Sequence, residues 1–128
     1  LVVVYFFTNK PLPSPADQSS VANKTGSRTV PTLRFVIVIT RHGNRAPFYT
    51  YPSSSYRANN TRVWPYGRGQ LTHNGRIQLY KLGAKFRSMY NGFLDQHYYP
   101  DNFKAFSTPS DRSQQSAQLF LAGLFPPT

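Results

Sequence analysis

Arg41, His42 and Arg45 follow directly on the apolar run Phe35-Val36-Ile37-Val38-Ile39, in the stretch IVITRHGNRAPF. A buried strand gains nothing from two fixed cations and an imidazole at its end, whereas an anion arriving there would be held strongly. Arg112 follows a second, shorter strand candidate and lies at the start of a helical pattern. Arginines brought to one point repel each other, but with a phosphate between them each planar fork makes paired, charge-assisted hydrogen bonds. An arginine in a helix's first turn adds free backbone N–H groups and the favourable end of the dipole. His42 would then face a phosphorus whose oxygens are already held, which is how a nucleophilic histidine is arranged. Clamping the equatorial oxygens also stabilises the charge of a transferring phosphoryl group. The expected site is therefore a phosphate clamp of Arg41, Arg45 and Arg112 around His42.

Those residues must be placed by the elements that flank them. Residues 34–40 (RFVIVIT) form a continuous β-branched run, the pattern of a strand covered on both faces as in a parallel sheet. A turn-rich segment from Gly43 to about Gly69, with prolines at 47, 52 and 65, is long enough for a compact domain to imply a functional loop. Thr72 reads as the N-cap of a helix whose apolar stripe is Leu79, Leu82, Phe86, Met89 and Phe93, with Arg76, Lys81, Lys85 and Arg87 largely opposite. Phe103–Ser107 (FKAFS) is a second strand candidate. A further helix is expected from Pro109 to about Leu124, capped by Thr108, with Asp111 bonding back and Ala117, Phe120, Leu121 and Leu124 on its buried face. Strand, helix, strand and helix in this order predict an α/β fold with a parallel-sheet core and flanking helices. Ligands of such sheets bind outside the carboxyl ends of the strands, the edge to which Arg41, His42, Arg45 and Arg112 are all assigned.

The bulk composition narrows the class without selecting a substrate. The 128 residues hold 15 Lys and Arg against four carboxylates, Asp17, Asp95, Asp101 and Asp111, for a net charge of +11. That balance attracts phosphorylated ligands, nucleic acid or anionic surfaces. A nucleic-acid-binding module would cluster its basic residues in runs with interleaved aromatics, whereas here they are scattered, so no nucleic-acid partner is expected. With no cysteine, these residues offer no disulfide, thiolate nucleophile or Cys-based zinc site. His73 and His97 have no metal-ligand spacing with each other or with His42 and read as exposed loop or helix-end residues, so no metal and no cofactor are expected. Residues 1–32 read as a signal-peptide remnant (LVVVYFF) followed by a disordered lead-in rich in Pro, Ser, Thr and Asn, and residues 33–128 as the N-terminal part of a catalytic domain. No stretch approaches the ~20 apolar residues of a membrane span. Asn23 and Asn59 head glycosylation tripeptides and, with the apolar start, favour a secreted or lysosomal, lumenal location.

Three segments in order resemble one known family. Arg41-His42-Gly43-Asn44-Arg45-Ala46-Pro47 is similar to the R-H-G-x-R-x-P signature of the histidine acid phosphatases, a branch of the histidine phosphatase superfamily. Trp64-Pro65-Tyr66-Gly67-Arg68-Gly69-Gln70-Leu71-Thr72, with Gly75 and Gln78, resembles the family's G-x-G-Q-L-T-x-x-G segment. Ser107-Thr108-Pro109-Ser110-Asp111-Arg112, with Ser116-Ala117-Gln118 and Leu121 to Pro127 after it, resembles its S-T-x-x-D-R helix and P-P ending. Pro109 is a departure, since many members carry Asp there.

The resemblance, covering about residues 34–127, implies a fold like that of the histidine phosphatases and phosphoglycerate mutases. It implies an acid phosphatase hydrolysing phosphate monoesters, of small molecules or phosphoproteins, through a phosphohistidine on His42, with Arg41, Arg45 and Arg112 binding phosphate. Family members supply their proton donor from a later His-Asp pair, so none is assigned within these residues and the 128-residue segment alone is expected to be inactive. A phosphoglycerate-mutase-like phosphotransferase shares R-H-G and L-T-x-x-G, but Arg45 and Pro47 favour the phosphatase branch. A non-catalytic phosphate-binding relative is the remaining alternative.

Overall fold

The computed structural model describes residues 1–8 and 32–127. Five elements follow in order: β1 (Val2–Phe7), β2 (Phe35–Thr40), α1 (His73–Met89), β3 (Phe103–Ser107) and α2 (Asp111–Leu124). The proposed lead-in, including Asn23 and Asp17, lies outside the described residues apart from its first and last positions.

The sheet corrects the expected direct parallel pairing. Its strand order is β2-β1-β3, and β1 runs antiparallel to both neighbours, with Val2 opposite Thr40 and Ser107, and Phe6 opposite Val36 and Phe103. The sequence VVVYFF, read above as the end of a signal peptide's apolar core, is here the central strand. Its β-branched and aromatic residues suit a pleated, half-buried surface, and its backbone completes the hydrogen-bonding ladders of two strands at once. Because both partners are antiparallel to β1, β2 and β3 still point the same way. Their carboxyl ends, Thr40 and Ser107, meet at one edge of the sheet on either side of Val2.

The core lies on one face of this sheet. Val2, Val4 and Phe6 are buried there, with Val38 and Phe103 beside them, and Leu79 of α1 and Ala117, Phe120 and Leu124 of α2 close over them. Phe6 is the hub of the aromatic packing, with ring centroids at 5.5 Å from Tyr90, 5.7 Å from Phe93 and 6.0 Å from Phe103. The expectation that β2 is covered on both faces is corrected as well. Both helices pack on the same side, and Phe35, Ile37 and Ile39 are exposed on the other.

The helix starts follow their caps. Thr72 takes an extended conformation and its Oγ1 accepts the Gly75 N–H at 3.1 Å, opening α1 where the sequence predicts. Leu79 is buried, Leu82 and Phe86 pack against the core, and Lys81 and Lys85 are exposed. The helix ends at Met89, and Phe93 reaches the core from beyond it, next to Gly92 at a φ of 92°. For α2 the cap is Ser110 rather than Thr108, and Ser110 makes no side-chain cap bond. Thr108 is engaged by the first residue instead: its N–H donates to the Leu1 carbonyl at 3.1 Å and its Oγ1 accepts from the terminal amine at 3.3 Å.

The two helices touch through glycines. A Cβ on Gly83 would strike the carbonyl of Phe120, and one on Gly123 the carbonyl of Tyr80. Gly123→Ala is expected to destabilise the protein. Alanine's better helix propensity returns up to ~1 kcal/mol, less than the ~1–3 kcal/mol that overpacking against a fixed backbone costs. Urea denaturation of the variant and wild-type proteins measures the difference.

Candidate active site

The turn that leaves β2 is where the chemistry-bearing residues gather, and its Gly43 and Asn44 tie it to both helices. His42 is half-buried, with Nδ1 2.8 Å from the carbonyl oxygen of Gly43. A carbonyl only accepts, so Nδ1 carries the proton and, in the neutral ring, Nε2 keeps its lone pair. Gly43 N–H donates to Ser116 Oγ at 3.1 Å, a fully buried bond from the turn to α2. A side chain at Gly43 would press on the Gly75 carbonyl at 2.5 Å and on Leu79 at 2.6 Å, so glycine is what lets the turn lie against α1.

The next residues are anchored to the start of α1. Asn44 N–H donates to Gln78 Oε1 at 3.2 Å, and its carbonyl accepts from the N–H and the hydroxyl of Thr72, at 2.9 and 3.2 Å. Gly75 is equally constrained, since a Cβ there would strike the backbone of Asn44. Arg45 bridges to Leu71 and Ala46 N–H donates to the Gln70 carbonyl at 2.8 Å, so the chain before α1 runs beside the turn. Gln70 in turn donates to Asp111 Oδ2 at 3.3 Å, joining that segment to the first residue of α2.

Three of the four expected site residues, Arg41, His42 and Arg45, line one cavity of about 790 Å³ together with Tyr56 and Trp64 of the long loop. Arg112 is not in its wall. It lies in the first turn of α2, with its guanidinium carbon 5.3 Å from the centre of the Phe48 ring, and Arg45 stands 4.6 Å from the same ring. The Nε of Arg112 is buried and has no hydrogen-bond partner among the described residues. Arg45 Nη1 donates to the Ala46 carbonyl at 2.9 Å. Arg41 is exposed at the mouth of the site. His73 and His97 are exposed, and neither lines this cavity.

Sequence reasoning assigned no part to three residues of this neighbourhood. Ser116 and Gln78 are quoted above only as matches to a motif, yet they hold Gly43 and Asn44. Phe48 is one of several aromatics in the loop, and only its spacing of three from Arg45 marks it. Trp64 is positioned by a bond from its indole N–H to the Tyr56 carbonyl at 3.3 Å.

A family model described as the histidine phosphatase superfamily (branch 2) matches residues 32–128. The chain belongs to branch 2 of the histidine phosphatase superfamily. Within this superfamily it is 45% identical over 96 residues to the lysosomal acid phosphatase of Homo sapiens, a match covering 75% of this chain and 22% of that protein. It is 42% identical over 95 residues to the prostatic acid phosphatase of Bos taurus (74% and 24% coverage) and 43% identical over 94 residues to the testicular acid phosphatase of Mus musculus (73% and 22%). The chain thus spans less than a quarter of the length of these curated relatives.

The turn Arg41-His42-Gly43 is held to α2 by the Gly43–Ser116 bond. Ser116→Ala leaves a buried N–H unpaired, at a cost of about 1–3 kcal/mol. The expected outcome is a fall in denaturation midpoint of that size together with weaker binding of inorganic phosphate. Chemical denaturation and competitive inhibition by phosphate, both on the complete parent protein, check it.

Proposed function

We propose that this chain carries the nucleophile half of an acid phosphatase that hydrolyses phosphate monoesters through a covalent phosphohistidine. The observation that carries the reading is the tautomer imposed on His42, whose protonated Nδ1 is engaged by the Gly43 carbonyl while Nε2 stays free in a cavity lined by Arg41 and Arg45. The Nε2 lone pair forms a bond to phosphorus as the ester P–O bond breaks, and the leaving alkoxide takes a proton. Water then attacks the phosphorus, the N–P bond breaks, and phosphate and free imidazole result. Donation from Nδ1–H to Gly43 supports the positive charge the ring acquires in the intermediate. Arg41, Arg45 and Arg112 offer planar forks to the non-bridging oxygens and stabilise the charge that builds on them. The 128 residues assign no proton donor for the leaving alcohol, and on this reading it comes from the rest of the parent protein.

The substrates on this reading are phosphorylated small molecules or phosphoproteins. The names of the lysosomal and prostatic relatives favour a lysosomal or secreted parent. Asn59 is exposed in the long loop and is the glycan acceptor this reading favours. Among the described residues no helix is long and apolar enough to cross a membrane. The common direction of β2 and β3 supports a parallel-rich sheet in the parent, as the superfamily resemblance implies.

Three outcomes are expected. Rapid quenching of the parent without acid, after mixing with a phosphate-labelled monoester, should trap label on wild type and none on His42→Ala, whereas a labelled variant would place the nucleophile elsewhere. Residues 1–128 expressed alone should hydrolyse an activated aryl phosphate at acid pH at least ~10²–10⁴-fold more slowly than the parent, the usual contribution of a general acid. Parent protein from a eukaryotic secretory host should lose mass on endoglycosidase treatment, and Asn59→Gln should remove part of that loss.

A further inference from the structure

We infer that Phe48 is a positioning residue, whose ring is the common contact that holds Arg45 and Arg112 while itself engaging none of their hydrogen-bond donors. The inference rests on the phosphate-clamp reading above and extends it to a residue with no polar group. Both guanidiniums lie within the ~6 Å at which a cation is attracted to an aromatic face, at 4.6 Å for Arg45 and 5.3 Å for Arg112. They arrive from different elements, Arg45 from the turn after β2 and Arg112 from the first turn of α2, so one ring links the two halves of the clamp.

The alternative way of holding two arginines is a carboxylate between them. That would neutralise the charge the site needs and occupy the same N–H groups that a phosphate must take. A ring attracts each cation through its quadrupole, adds no negative charge, and leaves the planar donors unspent. The Nε of Arg112 is buried without a hydrogen-bond partner among the described residues, so at this atom no protein acceptor competes with the ring in holding the side chain.

The seat of the ring is built rather than incidental. Gly69 has a φ of 68°, and a Cβ added there would strike the edge of the Phe48 ring. Gly69 precedes Gln70, whose carbonyl accepts the Ala46 N–H, so the wall behind the ring is fixed to the same turn that carries Arg45. The neighbouring aromatics contrast with it: Tyr49 is 88% and Tyr51 83% exposed, against 40% for Phe48.

The test uses the complete parent protein, with inorganic phosphate as competitive inhibitor and an aryl phosphate as substrate. Phe48→Leu keeps similar bulk without the ring and is expected to raise the phosphate inhibition constant and KM roughly tenfold, while Phe48→Tyr stays within about threefold of wild type. Phenylalanine analogues with one, two and three ring fluorines at position 48 preserve shape while draining the ring's negative face. They are expected to weaken phosphate binding step by step, with unchanged thermal unfolding. A merely structural ring would give no such gradient, and a flat response across the series overturns the inference even if Phe48→Leu fails to fold. A wild-type parent that binds no phosphate would instead overturn the clamp reading, and this inference with it.

Discussion

The buried hydrogen bond from Gly43 N–H to Ser116 Oγ fixes the relation between the strand that delivers His42 and the helix that delivers Arg112. Ser116 is fully buried, so water cannot substitute for either partner and the bond carries the full cost of its own removal. The same glycine is pressed against Gly75 and Leu79 of α1, which leaves the turn no room to rise off that helix. One residue without a side chain therefore sets the distances among β2, α1 and α2. The remaining ties, Asn44 to Thr72 and Gln78 and Gln70 to Asp111, refine a geometry that this contact has already chosen.

The electrostatics of the site follow from that enforced closeness. Cations gathered in a partly enclosed space are destabilising unless something offsets them, and the described contacts of Arg45 and Arg112 are a backbone carbonyl and an aromatic ring. Neither is a counter-ion, so the site's positive field is kept for an incoming anion. On the clamp reading proposed above, the packing of two helices on one sheet face holds these cations together, and an arriving phosphate would offset their repulsion.

Much of this was legible in the sequence, and the exceptions have physical causes. The helices were readable because their stripes repeat at helical spacing and Thr72 caps the first of them. The second began later than expected because Thr108 stays in line with the sheet, its N–H donating to the Leu1 carbonyl beyond the end of β3, and Ser110 takes the cap position. The apolar run 35–39 was readable as a strand, but not its pairing, since a β-branched run suits parallel and antiparallel ladders alike. β1 was not legible because VVVYFF has the composition of a signal-peptide core as much as of a strand, and its pairing with β2 and β3 rests on residues far along the chain. Arg41, His42 and Arg45 were legible from their adjacency to a strand end. Ser116 and Phe48 were not, because their roles rest on contacts with residues far along the chain or across a loop, and serine and phenylalanine announce nothing by type alone.

The side of the sheet turned away from the helices has a bearing on how these residues behave in bulk. Phe35, Ile37, Ile39 and Phe106 stand on it more than two-fifths exposed, and β2 and β3 each keep one ladder of backbone groups without a strand beside it among the described residues. An uncovered edge of this kind accepts a further strand from any neighbouring molecule. Against such pairing stands the net charge of +11 on these residues, whose repulsion between copies reaches well beyond the few ångströms over which strand addition acts. At about 0.1 M salt that reach shrinks to ~10 Å, while the apolar attraction is undiminished. The colloidal state of the chain is thus a contest between a long-range force that electrolyte weakens and a short-range one that it does not, and added salt favours association.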